Sequence, residues 1–280
     1  MDGILYIVGT PIGNLGDFSP RAVEILRSVD WIAAEDTRVT QKLLNHFSIC
    51  TPLKSYHEHN LRQRGEEIVS YLKAGKSIAL VTDAGMPCIS DPGENLVCLC
   101  AKENLPIQVV PGPTAAVSAL AVSGLPTSRF LFEGFLTTSQ SGRYCRLTEL
   151  ASLPQTLIFF EGPHKLPTTL SDLYRVLGDR RVAIVRELTK LHEQVLRTTL
   201  AKAAVNYQTL TPRGEYVIVV EGASVSKEEL TLEEAVALAR ELPLKPSEAA
   251  KKAAALSGQK KTEIYKKLLK TKNSNRLYSD

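Results

Sequence analysis

A chain of 280 residues has room for two α/β domains and a small appendage, each able to bury a core. With 44% hydrophobic and 23% charged residues it reads as a water-soluble globular protein, and no run reaches the roughly 20 consecutive apolar residues of a membrane helix. The formal charge of +4 is unevenly placed: residues 245–280 hold ten Lys and Arg against three Asp and Glu, the first 244 hold 24 against 27, so the tail alone suits a polyanion such as RNA. Five scattered cysteines with no CxxC pair, and an N-terminus without a basic leader, point to reduced thiols and a cytoplasmic protein.

The first strand is expected at Leu5–Val8, and it empties into GTPIGNLGD with glycines at 9, 13 and 16. A dinucleotide fingerprint needs G-x-G-x-x-G, but here Pro11 takes the second glycine's place and offers no N–H to a phosphate. The spacing and missing lysine exclude a P-loop as well. The loop suits close backbone approach to an uncharged or zwitterionic ligand.

Ser19-Pro20 then opens a helix over Pro20–Ser28, since proline at the first helical position loses no needed N–H. Strands are expected at Trp31–Ala34, Leu53–Tyr56, Ser77–Thr82 and Ile107–Val110, with helices at Thr40–Phe47, Leu61–Leu72, Glu94–Lys102 and Thr114–Ser123. This alternation predicts a parallel, doubly wound domain over residues 1–124. Three of its five strands run into Gly/Pro-rich loops: GTPIGNLGD, TDAGMPCISDPGE and VVPGPTAA. Ligands of such sheets sit outside the carboxyl ends of the strands, so the three loops form the candidate binding edge.

Gly124-Leu125-Pro126 breaks the pattern, and a second α/β domain is expected over 125–224. Its strands fall at Arg129–Phe132, Thr156–Phe160, Arg181–Arg186, His192–Leu196 and Tyr216–Glu221, with helices at Gly142–Ser152, Lys165–Leu177 and a short one ending at Tyr207. A polar linker, Gly222–Glu229, leads to a basic helical module over 230–280, with helices at Leu232–Leu242, Pro246–Leu256 and Lys260–Leu269. The Ser257-Gly258 turn gives it a helix-turn-helix-like outline.

Eight collinear motifs, GTPIGNLGD, AAEDTR, YHEHN, DAGMPCISDPG, PGPTA, FFEGPHK, RELTKLHE and RGEYVIVVEG, resemble the tetrapyrrole-methylase-like methyltransferases from residue 4 to about 222. Within them the chain is similar to the branch that 2′-O-methylates a cytidine ribose in the decoding region of small-subunit ribosomal RNA. The resemblance implies two α/β/α domains with a cleft between them, S-adenosylmethionine in the cleft, a homodimer and no metal. It places cofactor contacts at Pro11, Ala84, Gly85, Met86, Ile89, Ser90, Thr114 and Ala115, and across the cleft at Phe160, Leu188 and Gly214. Departures from the family pattern are Met86 for threonine, Phe160 for tyrosine, Lys165 for arginine, Gln194 for glutamate and Thr137 for proline.

Methyl transfer to a ribose hydroxyl calls for alignment and for help in removing a proton. The catalytic candidates are Glu161, Glu187, Asp83 and, were its pKa lowered, Lys190; Glu35, Asp36, Asp91 and Glu193 cluster with them. Arg38, His57, His59 and Arg186 are candidate RNA contacts, as are Lys251, Lys252, Lys260 and Lys261 of the tail, whose small-subunit RNA or 30S partner would be gripped through phosphates. His57-x-His59 has strand spacing for a metal but lacks further ligands. Two other readings stay open: a precorrin-type tetrapyrrole methylase, which needs no basic tail, and a non-catalytic RNA-binding or ribosome-assembly factor, which needs no cofactor loops.

Overall fold

The computed structural model describes residues 2–57, 60–224 and 231–274. His59 and the part of the expected linker beyond Ser224 lie outside them. Met1–Ala223 form one compact unit and Ser224–Asp280 a second.

Strands β1 (Leu5–Val8), β2 (Trp31–Ala34), β3 (Leu53–Ser55), β4 (Ile78–Val81) and β5 (Ile107–Val110) make an all-parallel sheet in the order β3-β2-β4-β1-β5. Alternate residues feed opposite faces. Leu5, Ile7, Trp31, Ala33, Ile78 and Leu80 pack under α3 (Leu61–Lys73) and α4 (Glu94–Lys102). Val8, Ile32, Ala34, Ala79 and Val81 pack under α1 (Pro20–Ser28) and α2 (Thr37–His46). Every residue of β2 and β4 is buried, which is why these strands read as unbroken apolar runs.

The strand order creates the site. The connection from β1 crosses β4 to reach β2, and the connection from β4 crosses β1 to reach β5. Two neighbouring strands thus send their chains in opposite directions, and a crevice opens between their carboxyl ends.

The second sheet is mixed: β6 (Phe130–Phe135), β7 (Thr156–Glu161), β8 (Arg181–Arg186), β9 (Gln194–Thr199) and β10 (Tyr216–Val220) run in the order β6-β7-β10-β8-β9. Only β6 and β7 pair in parallel. One face is covered by α6 (Gln140–Leu150), α7 (Leu166–Leu177) and α8 (Leu200–Asn206). The other is covered by α5 (Ala115–Ser123), whose Ala116, Ala119 and Leu120 pack on Ile158, Ala183, Val185, Val217 and Val219. Helix α5 therefore starts at a loop of the first sheet and spends its body on the second.

A buried ion pair pins the chain beyond β6. Arg143 donates from Nε to Asp172 (2.7 Å) and from Nη1 to the carbonyls of Thr137 (3.1 Å) and Thr138 (3.2 Å), and the Tyr144 hydroxyl donates to Asp172 (2.8 Å). Thr137 and Thr138 are thus held through their carbonyls.

Elements fall within a few residues of their expected bounds, and caps explain two of the shifted helix starts. Helix α2 starts early because the Asp36 carboxylate accepts the N–H of Arg38, and α6 because the Ser139 hydroxyl accepts that of Gly142. Helices α9 (Leu232–Glu241), α10 (Pro246–Ser257) and α11 (Lys261–Ser274) build the second unit around Ala235, Val236, Ala239, Ala249, Ala250, Ala253 and Ile264. Gly258, at φ +75°, closes α10 in the left-handed conformation. Among the described residues no helix is long and apolar enough to cross a membrane.

Candidate active site

The opening loop owes its glycines to neighbouring backbone. A Cβ on Gly9 would lie 2.6 Å from the Met86 sulfur and 2.7 Å from the Gly112 Cα, and a Cβ on Gly112 would lie 2.8 Å from the Gly9 backbone. Thr10 and Gly85 exchange backbone hydrogen bonds of 2.9 and 3.2 Å, and the Thr10 hydroxyl donates to the Thr82 carbonyl at 3.1 Å. The loops after β1, β4 and β5 are thereby laced into one backbone surface. It carries Pro11, Ala84, Gly85, Met86, Ile89, Ser90 and Thr114, all from the expected cofactor set. Ala115, Phe160 and Leu188 from that set meet elsewhere: all three pack against the apolar cluster under α5.

Charge on these loops has one sign. Residues 9–17, 82–94 and 110–115 contain Asp17, Asp83, Asp91 and Glu94 and no Lys or Arg. Glu35 and Asp36 join them from the end of β2: Thr82 donates to Glu35 (2.6 Å), and the Asp36 N–H donates to Asp83 (3.1 Å). Burial and the like charges of Glu35 and Asp83 push Asp91 up to about 6, against a hydrogen bond from Thr82. Asp83 is raised in the same way, burial leading and Glu35 and Asp36 adding. Asp36 is held down at about 2 by hydrogen bonds from Arg38. A surface of this kind repels pyrophosphate and suits a cation. Among the described residues no side-chain group has metal-binding geometry.

The loop between β8 and β9 supplies the opposite wall. Lys190 donates to Glu187 (3.0 Å) and Glu215 (2.7 Å), and its methylenes occupy the space that a side chain at Gly13 would need. The Glu215 N–H also donates to Glu187 (3.0 Å), and a Cβ on Gly214 would strike the Glu187 carboxylate. Burial opposes the charge on Lys190, but its hydrogen bonds to Glu215 and Glu187 outweigh it and hold the ammonium above its ordinary value. A lysine acting as base needs the opposite shift. Glu187 is held below the usual carboxylate range by its hydrogen bond from Lys190. Glu187 (φ +51°) and Thr189 (φ +67°) adopt left-handed backbone, as do Cys88 (φ +72°) and Ser90 (φ +63°) across the unit. Such conformations persist where the surroundings over-determine them.

Glu161 plays another part. It is buried, its two oxygens accept the Gly162 N–H (2.9 Å) and the Thr169 hydroxyl (2.6 Å), and it ties β7 to α7. Of the expected RNA contacts, Arg38 is exposed with its guanidinium on Asp36. Arg186 donates to the Arg213 carbonyl (2.8 Å) and Gln194 (3.4 Å). The His57 N–H donates to Asn60 (3.0 Å), closing the turn before α3. Lys251, Lys252, Lys260 and Lys261 are all exposed on the helical unit. Glu215 and Gly112 emerge only in three dimensions: nothing in the sequence pairs residue 215 with 190, or 112 with 9.

The Gly9–Gly112 contact yields a test. Gly112→Ala forces the two backbones apart and lowers stability by about 1–3 kcal/mol, as overpacking does, and weakens cofactor binding. Thermal unfolding and calorimetry measure both effects; an unchanged melting temperature and affinity would show that the loops do not depend on this contact.

Comparison with known proteins agrees with the geometry. The family model for Tetrapyrrole (Corrin/Porphyrin) Methylases matches residues 4–204. A protein of Synechocystis sp. named ribosomal RNA small subunit methyltransferase I is 53% identical over 223 residues, covering 79% of this chain and 80% of its own. Its namesake in Xylella fastidiosa is 48% identical over 268 residues, covering 94% and 98%. Among solved structures, uroporphyrin-III C-methyltransferase of Thermus thermophilus, complexed with S-adenosylhomocysteine, superposes with a TM-score of 0.55 at 21% identity, covering 78% of this chain and 97% of that one; at this identity the likeness is one of fold. The chain belongs to the tetrapyrrole methylase family, among its relatives named ribosomal RNA small subunit methyltransferase I.

Proposed function

We propose that the protein is an S-adenosylmethionine-dependent methyltransferase of small-subunit ribosomal RNA that methylates the 2′-oxygen of a cytidine ribose in the decoding region. The observation that carries this reading is the extent of the likeness: it runs through the basic helical module as well as the methylase unit, over 94% of this chain in the Xylella relative. A small-molecule methylase has no need of exposed lysines on a separate three-helix unit.

The donor set fits the cofactor. The laced loops offer backbone at Pro11, Ala84–Met86 and Thr114 and acidic side chains in place of phosphate-binding cations, and the cluster under α5 adds apolar surface at Ala115, Phe160 and Leu188. Bound there, the cofactor supplies a methyl group already activated toward displacement by its sulfonium. The chain's own work is alignment and proton removal. Glu187, kept ionised by Lys190, is the proton acceptor; Lys190 orients it and favours negative charge on the ribose oxygen. Lys251 and Lys252 of α10, Lys260 of the turn and Lys261 at the start of α11 hold RNA phosphates, which position the substrate without specifying it. The active protein is a homodimer, as sedimentation of the full chain would show by a mass near twice the monomer's.

Labelled cofactor offered separately to 30S subunits, naked small-subunit RNA and a tetrapyrrole is expected to label RNA, with the methyl recovered as 2′-O-methylcytidine after nuclease digestion. Label on a base, or on the tetrapyrrole alone, would contradict the assignment. Glu187→Gln is expected to slow single-turnover transfer about 10²–10⁴-fold. Because Lys190 depresses the Glu187 pKa, the parent rate should stay level through neutral pH and fall only in acid; a loss under threefold removes Glu187 from the role. Replacing Lys251, Lys252, Lys260 and Lys261 by Gln should weaken RNA binding and flatten the slope of log affinity against log salt by roughly 0.7–0.9 for each phosphate the lysines had neutralised. An unchanged slope would leave the module without a hand in the grip.

A further inference from the structure

Strand β6 ends unlike its neighbours. Its register against β7 slips between Phe132 and Gly134, and Gly134 turns at φ +73°, a conformation that favours glycine. Beyond the slip Phe135 still pairs opposite Phe160, yet 63% of its surface faces solvent. It is the most exposed large aromatic side chain among the described residues.

A single exposed phenylalanine is ordinary; its setting is what counts. The Phe135 ring stands edge-on to Phe160, centroids 5.6 Å apart at 64°, and Phe160 stands edge-on to Phe132 at 4.9 Å and 67°. Ring orientation is thus held from below by a row of aromatic contacts. Gly134 abuts the loop after β4: a Cβ there would lie 3.2 Å from the Ser90 hydroxyl, and Ile89 beside Ser90 is 54% exposed. So Phe135 stands at the seam where the cofactor loops of the first sheet meet the strand ends of the second. The neighbouring strand β7 continues into Gly162–Lys165, where Lys165 is exposed and the first turn of α7 has no side-chain cap.

We infer that Phe135 stacks on the base of the nucleotide whose ribose receives the methyl group, and so fixes which sugar reaches the cofactor; this rests on the RNA reading above. A ribose enters a recessed site more deeply when its base leaves the stack, and the lost base stacking is offset by stacking on an aromatic face. Phe135 offers such a face, already oriented, beside the cofactor contact Phe160.

The test compares Phe135→Leu, which keeps apolar bulk without a π face, with Phe135→Tyr, which keeps the face. For RNA substrates kcat/KM should fall roughly ten- to a hundredfold in Phe135→Leu and stay within about threefold of the parent in Phe135→Tyr. Cofactor affinity by calorimetry, melting temperature and sedimentation should match the parent in both. A short RNA with pyrrolocytidine at the target position should be quenched by the parent and by Phe135→Tyr but not by Phe135→Leu. The inference is overturned if Phe135→Leu matches the parent, if cofactor affinity falls by the same factor (a stack on adenine instead), or if sedimentation changes (a contact between copies). A parent protein that methylates no RNA removes the underlying reading, and this inference with it.

Discussion

At the carboxyl end of the parallel sheet the backbones of Gly9 and Gly112 touch, and a Cβ on either would enter the other chain segment at under 3 Å. The arrangement of the surrounding loops depends on that contact. It draws the loop after β5 against the loop after β1, while the Thr10–Gly85 pair draws in the loop after β4. Because β1 and β4 are also the strands whose connections part in opposite directions, the laced surface lies where an open α/β sheet has its crevice. Backbone and acidic side chains line it, which suits a cationic ligand and excludes a pyrophosphate.

The same contact ties the first sheet to the second. The loop held by Gly112 leads into Thr114, which caps α5, and α5 covers one face of the second sheet. Movement of the β5 loop would therefore disturb the packing that seats Ala115, Phe160 and Leu188. From the other side Lys190 lays its methylenes against Gly13, while its ammonium is shared by Glu187 and Glu215. Its backbone neighbours take left-handed conformations at Glu187 and Thr189, which cost stability and persist only where packing compels them. Strain thus gathers where two loops must present polar groups at fixed positions.

Much of this was legible in the chain. Apolar runs such as IALV and WIAA mark doubly covered parallel strands, Ser19-Pro20 marks a helix start, and Pro11 alone rules out a dinucleotide loop. Three Gly/Pro loops at one sheet edge locate the crevice. What the chain withholds is pairing at a distance. Glu161 looks like a candidate catalytic carboxylate in FFEGPHK, yet it is buried and accepts from the Gly162 N–H and the Thr169 hydroxyl. Lys190 looks like a candidate base until Glu215, 25 residues on, holds its proton. Phe135 falls beyond the strand expected at Arg129–Phe132, because the register slip that carries β6 on to it depends on β7, a partner given by the fold. Local propensity writes the elements; the site is written by contacts between segments that carry no mark of one another.

The most direct test of the account is hydrogen exchange of the full chain with and without S-adenosylmethionine. If the laced loops are the cradle, slowing on cofactor addition concentrates in residues 9–14, 84–90 and 112–116, with a second group near 187–190. Cofactor binding that leaves those amides unchanged and protects other segments would contradict it.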